Sequence, residues 1–394
     1  MNNKLITVRQ KDRIISAIYE DGEMVQVNVD CLGKDNILGN IYVGKVKNIV
    51  KNINAAFVEI SEGKMCYLSL EDAIAPIYLK PKKTNKIVIG DEILVQISKE
   101  DIKTKAPVIT TNLNFTGKYV ALVHGKSMIG ISSKIKDDAE RNRLKKLLQN
   151  QKGEFYGFIV RTNALFKSDD VILKEIDFLT KQYREIVDYG VHKTPFSLLY
   201  QMPPGYICNI RDGFADSMDE FLTDDKEIFK EMSSYLTNYQ KEDLPKLQFY
   251  EDKLISLENL YSIHVKLQNA LREKVWLKCG GSIIIQPTEA LTAIDVNTGK
   301  AIGGKKKAED TFLKVNLEAA HEIAKQLRLR NISGIIIIDF IDMAEQSNKD
   351  KLIKELNDLF QQDPIKTSLV DMTALNLIEV TRKKVRKPLH EQFL

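Results

Sequence analysis

The chain has 394 residues, 43% hydrophobic and 28% charged, which are globular values in a chain too long for one core. No apolar run reaches the roughly 20 residues that span a bilayer. The first residues, MNNKLITVRQKDRII, lack a signal-peptide core, so a cytoplasmic protein of several domains is expected. The net charge of +4 permits nucleic acid as a partner without requiring it, and four dispersed cysteines with no CxxC argue against zinc held within the chain.

Residues 1–35 alternate apolar and polar and predict short antiparallel strands with a turn at Asp21-Gly22. They are too few for a domain and should pair with strands from later in the chain. From GNIYVGKVKNIVKNINAAFVEI (39–60) through GDEILVQISKE (90–100), short strands follow one another in a pattern that suggests an OB-fold barrel. Such barrels bind single strands by stacking bases on aromatic side chains beside basic ones. Phe57 and Tyr67 are the candidate stackers, with Lys45 and Lys105 for phosphates. The plainer alternative is that Phe57, between Ala56 and Val58, is simply core.

Beyond about residue 112, DDAERNRLKKLLQN (137–150) predicts an amphipathic helix, GFIVRTNA (157–164) a buried strand, and residues 169–189 a longer helix. The strand ends in Arg161-Thr162. A guanidinium fork next to a hydroxyl can grip a terminal phosphate; a surface salt bridge to a helix carboxylate is the alternative. MPPGYICNIRDG (202–213) predicts a turn and a short strand, residues 224–240 a helix, and LPKLQFYEDK an extended segment. Residues 257–291 predict helix, strand, Gly-Gly turn and strand, with Arg272 and Lys274 placed to touch a nucleic acid.

Two later segments concentrate the chemistry. EALTAIDVNTGK (289–300) and GIIIIDFIDM (334–343) are apolar strands that each deliver an aspartate, Asp295 or Asp339, near the polar end. Between them NLEAAHEIAKQLRLRNI (316–332) reads as a helix, with Leu317, Ala320, Ile323, Ala324 and Leu327 on one face. Strand–helix–strand makes the two strands parallel neighbours and brings both carboxylates to one side, an all-oxygen corner suited to magnesium. For each Asp taken alone, a turn or helix N-cap role is the alternative. The Gly- and Lys-rich loop KAIGGKKK (300–307) follows directly and could approach a phosphate or simply be solvated.

These segments, and the order of those upstream, resemble the catalytic core of the ribonuclease E/G endoribonucleases, from about residue 36 onward. The resemblance implies an α/β multidomain chain. Its parts would be an RNase H-like scaffold (1–35 and 201–268), an inserted S1-type OB-fold RNA-binding domain (36–111), a 5′-phosphate sensor region (112–200) and a DNase I-like catalytic domain (269–394). It implies magnesium-dependent cleavage of single-stranded RNA, in RNA processing and decay, stimulated by a 5′-monophosphate. By position, Asp295 and Asp339 would hold Mg²⁺, Asn297 would orient Asp295 or the scissile phosphate, Arg161 and Thr162 would sense the 5′ end, and Phe57, Tyr67 and Lys105 would contact RNA. The chain also departs from the family. Ser133 stands where a basic residue is common, Lys366 where an Arg often is, and no Cys follows Cys279 to build the family's zinc link, which leaves a homo-oligomer open. The alternative function is a non-catalytic S1-type RNA-binding protein on a degenerate nuclease scaffold. A metal-dependent phosphoesterase acting on DNA or small substrates is a third.

Overall fold

The structure is a computed structural model that describes residues 2–31, 37–84, 86–100, 106–213, 218–299 and 308–393. The chain divides into two compact units, one of residues 1–34, 205–210 and 216–394, the other of residues 35–204 and 211–215.

The first unit holds two sheets. In the five-stranded sheet the order is Leu247–Phe249, Glu220–Thr223, Asn3–Gln10, Arg13–Glu20, Glu23–Cys31. The N-terminal strands pair antiparallel, and Glu220–Thr223 joins Asn3–Gln10 in parallel. Asp21 and Gly22 both take positive φ, the tight hairpin geometry that matches strand twist. Both faces of this sheet are covered. Leu5, Ile14 and Ile18 pack with Tyr206, Ile207, Ile228 and Met232 on one side. Ile6, Ile15 and Val27 pack with Ile263, Leu267 and Leu329 on the other.

Residues 205–212 correct the sequence reading. They form a helix, Gly205–Asp212, where a short strand is predicted. The Asp30 carboxylate lies against its start, where a Cβ on Gly205 would fall 2.5 Å from Oδ2, and Tyr206, Ile207 and Ile210 turn one buried stripe to the sheet. Period alone favoured neither state over so short a run.

The six-stranded sheet runs Lys274–Trp276, Ser282–Pro287, Leu291–Asn297, Gly334–Asp339, Leu377–Arg382, Thr367–Met372. The helices Ala308–Leu329 and Gln346–Gln362 share one core with it. Val315, Ala319, Ala320, Ile323 and Leu327 meet Ile283, Ile285, Ile294, Ile336 and Ile338. The alanines let the helix axis approach closely, so truncating Ile323 would open a cavity costing about 2–5 kcal/mol. On the strand next to the far edge Arg382 is buried and held by Asp363, Asn331 Oδ1 and the Ile332 carbonyl, which satisfies a charge that burial would otherwise penalise.

The second unit contains a closed five-stranded barrel: Ile41–Val50, Ala55–Ser61, Lys64–Ser69, Val108–Thr110 and Glu92–Lys99, closed by pairing of the first with the last. Gly44 sits where a Cβ would lie 2.6 Å from Val58 Cγ1, so the barrel wall needs glycine there. A four-stranded sheet (Ile129–Ile131, Tyr156–Val160, Val120–His124, Asn114–Thr116) packs under the helices Asp138–Leu148 and Asp169–Gly190. Among the described residues no helix is long and apolar enough to cross a membrane.

Candidate active site and nucleic-acid contacts

The Leu291–Asn297 and Gly334–Asp339 strands are parallel, and their register sets Asp295 directly beside Asp339. Neighbouring strands lie about 4.8 Å apart, so the two carboxylates share one small region. The strands are not buried on both faces, as their apolar runs suggest. Ile294, Val296, Ile336 and Ile338 turn into the helix-covered core, while Asp295, Asn297 and Asp339 lie on the opposite, exposed face. The apparent anomaly of a charge inside an apolar strand is resolved by side-chain alternation: every second residue of these runs faces solvent.

Asn297, two residues on and on the same face, donates from Nδ2 to Asp295 Oδ2 at 2.6 Å. Partial burial, then the charges of Asp295 and Asp342, push the Asp339 carboxyl above its ordinary range. Like charges gathered this way favour a cation. The turn after Asp339 is pinned from below by the fully buried Asn316. Its Nδ2 donates to the Ile341 carbonyl at 2.8 Å and its Oδ1 accepts the Ile341 N–H at 3.1 Å. Glu309 accepts the N–H groups of Ala344 and Glu345, and Asn376 donates to Asp342 at 3.1 Å. On the other side, Gly281 lies where a Cβ would fall 2.8 Å from the Asn297 carbonyl, so the Gly-Gly turn supports the strand end by close backbone approach. Asp342, Asn316 and Asn376 were missed in the sequence reading. Asp342 stands inside the quoted IIIIDFIDM motif, three residues past Asp339, and was the recoverable one.

Among the described residues no group of three or more His, Cys, Asp or Glu gathers as a metal cage. The donor set is a carboxylate pair with Asp342 nearby, which fits a hard cation that keeps most of its water rather than a soft metal.

In the second unit Phe57 pairs across strands with Tyr67, ring centroids 6.2 Å apart and edge-on. Both are half-buried, while Ala56, Val58 and Ile60 fill the barrel interior. Phe57 is thus a residue of the outer wall, not of the core. Lys45 reaches Glu92 only at 3.9 Å. Lys105 and the loop 300–307 lie outside the described residues.

Arg161 ends the Tyr156–Val160 strand, and Thr162 begins a short 3₁₀ turn. Arg161 Nη1 donates to the Gly117 carbonyl and lies 2.9 Å from Asp212 Oδ1. The Thr162 hydroxyl is 3.0 Å from that of Ser132, the neighbour of Ser133. Lys366 immediately precedes the Thr367–Met372 strand.

Residues 114–385 match the model of the Ribonuclease E/G family. The chain is 32% identical to Ribonuclease G of Haemophilus influenzae, over 95% of this chain and 78% of that one. It is 31% identical to Ribonuclease G of Escherichia coli, over 94% and 77%, and 33% identical to Ribonuclease E of Nostoc sp., over 99% and 57%. The chain belongs to the ribonuclease E/G family, and it is an endoribonuclease of that type.

Proposed function

We propose that the chain cuts single-stranded RNA internally by magnesium-dependent hydrolysis, leaving a 3′-hydroxyl and a 5′-phosphate, and serves RNA processing and decay. The observation that carries this is the matched pair Asp295 and Asp339 on the open face of the sheet. Asp295 and Asp339 would hold Mg²⁺, which when bound supplies positive charge to the scissile phosphate and an activated water. Asn297, donating to one oxygen of Asp295, fixes the carboxylate's rotation and leaves the other oxygen available. Asn316 and Asn376 hold the following turn and its Asp342, which adds negative charge to the same corner. Arg161 and Thr162 form the 5′-monophosphate site, and Phe57, Tyr67 and Lys105 take the single strand.

In this reading residues 1–35 and 201–268 are an RNase H-like scaffold and 36–111 an S1-type domain, the closed barrel supporting the S1-type part alone. Residues 112–200 are the sensor region and 269–394 a DNase I-like domain. Among the described residues no cysteine forms a disulfide, in keeping with a reducing cytoplasm as its location.

The test is a 5′-monophosphorylated single-stranded RNA incubated with and without Mg²⁺. Internal cleavage should require the metal. Asp295→Asn and Asp339→Asn should each lower the rate by at least about 1000-fold, since several kcal/mol of charge stabilisation is lost, while RNA affinity stays near wild type. Wild-type rates in either variant at saturating Mg²⁺ would refute the two-aspartate site.

A further inference from the structure

Trp276 is the chain's only tryptophan, and it stands 66% exposed on the edge strand of the catalytic sheet. An indole left in water on a strand that could have carried a polar residue is unusual, since burial of its large apolar surface would stabilise the fold. The strand register shows what it stands beside. Trp276 pairs with Ser282, and Ser282 pairs with Asn297. Lys274 likewise pairs with Ile284, and Ile284 with Asp295. Directly paired residues share a face, so Trp276 and Lys274 lie on the carboxylate face, two strand spacings away, on the order of 10 Å.

A cleft of about 380 Å³ opens around this edge toward the helix Ala308–Leu329, which covers the other face of the sheet, and is lined among others by Lys266, Arg272, Lys274, Trp276, Lys325 and Glu23. Four of these six carry positive charge. The one acid, Glu23, is engaged with Lys325 at 2.9 Å. Arg272 makes no side-chain hydrogen bond or ion pair among the described residues. Lys274 Nζ sits 4.1 Å over the Trp276 ring, and Lys266 Nζ 4.5 Å over Tyr19. Burial first, and Lys325 also, hold the Lys266 ammonium below its ordinary range, with Glu23 opposing them. The cleft therefore carries a net positive charge beside an exposed aromatic plane. That combination suits a nucleotide in a single strand: the phosphate takes the cations and the base takes the ring. The volume lies at the small end of ligand pockets, with room for a nucleotide and not for a duplex.

We propose that substrate RNA runs from the carboxylate face round this strand edge, with one base stacked on Trp276 and backbone phosphate held in the cleft by Lys266, Arg272 and Lys325. The inference rests on the endonuclease reading of Asp295 and Asp339 and adds a contact that sets substrate length and strandedness.

The sole tryptophan is its own probe. Full-length protein carrying Asp339→Asn, to prevent turnover, is titrated with single-stranded RNA, duplex RNA and inorganic polyphosphate while tryptophan emission is followed. Single-stranded RNA should quench the emission, duplex and polyphosphate should not. In the otherwise wild-type enzyme Trp276→Ala should lower kcat/KM on a long single strand about 5- to 150-fold, the range for loss of one base stack. Trp276→Phe should recover most of that loss, which a structural role for the indole would not predict. Replacing Lys266, Arg272 and Lys325 together by Gln should weaken binding and flatten its salt dependence. Emission unmoved by single-stranded RNA, or moved equally by polyphosphate, would overturn the proposal. So would a folded Trp276→Ala enzyme with wild-type kcat/KM. Those results would leave the carboxylate site standing, whereas cleavage surviving in Asp339→Asn would remove the catalytic reading itself.

Discussion

Arg161 and Asp212 form an ion pair, Nη1 to Oδ1 at 2.9 Å, with the same nitrogen also donating to the Gly117 carbonyl. The proposed 5′-phosphate ligand is therefore already engaged, and a terminal phosphate has to compete with a carboxylate for it. Asp212→Asn should raise the preference for 5′-monophosphate over 5′-hydroxyl RNA by up to about 5-fold, the worth of a partly exposed ion pair near 1 kcal/mol. Arg161→Ala should erase any preference without slowing the 5′-hydroxyl substrate. Paired cleavage assays on the two RNAs read both effects. If Arg161→Ala slows both RNAs alike, the residue is structural.

Asn316 reaches the turn after Asp339 from the buried face of its helix, so under the proposed function its effect should be on rate as well as stability. Asn316→Ala leaves the Ile341 N–H and carbonyl without their partner, a cost of about 1–3 kcal/mol in unfolding free energy. It should also lower kcat, because the turn carrying Asp342 loses its anchor, with RNA affinity little changed. Denaturant melts and single-turnover rates check the two halves. A destabilised variant with wild-type kcat would show that the turn's position is irrelevant to cleavage.

Phe57→Ala and Tyr67→Ala remove rings from the outer barrel wall rather than from its core. Each should leave the circular dichroism spectrum intact and weaken single-strand affinity by about 1–3 kcal/mol. Filter binding to a labelled oligonucleotide measures this. Unchanged affinity in the folded double variant would assign both rings to cross-strand packing alone.

His124 is buried, with Nε2 donating to the Ala75 carbonyl at 2.7 Å and Nδ1 2.8 Å from the Tyr183 hydroxyl. Burial holds its pKa below the ordinary 6.5, with the Ala75 hydrogen bond opposing. The unfolded chain therefore takes up this proton first as pH falls. Stability from the neutral histidine is full above about pH 6.5 and declines below it until the folded pKa is passed. His124→Gln should show a smaller drop in denaturation midpoint between pH 7.5 and 5.5 than wild type. Equal drops would mean that His124 does not titrate on unfolding in this range.

The pairing of Asp295 with Asp339 was legible from the chain alone. Two apolar runs joined by a helix of clear 3.6-residue period can lie in one sheet almost only as parallel neighbours, and that alone brings their C-terminal aspartates together. The helices over 138–148, 169–190 and 226–239 were legible for the same local reason. What the runs could not reveal was how many faces of a strand are covered. An all-Ile segment looks the same whether helices cover one side or both, so the exposed setting of the carboxylates came only from where Ala308–Leu329 and Gln346–Gln362 pack.

Closure of the barrel depended on Ile41–Val50 meeting Glu92–Lys99, a pairing across some fifty residues that no local signal specifies. The same holds for Arg161 beside Asp212, and for Trp276 in the row of Asn297. Period and chain chirality act between neighbours in sequence, so the amino acids by themselves decide helices, strands and single crossovers. Which charges and rings from distant segments come to face one another is set by long-range register and layer order, and only the folded chain decides those.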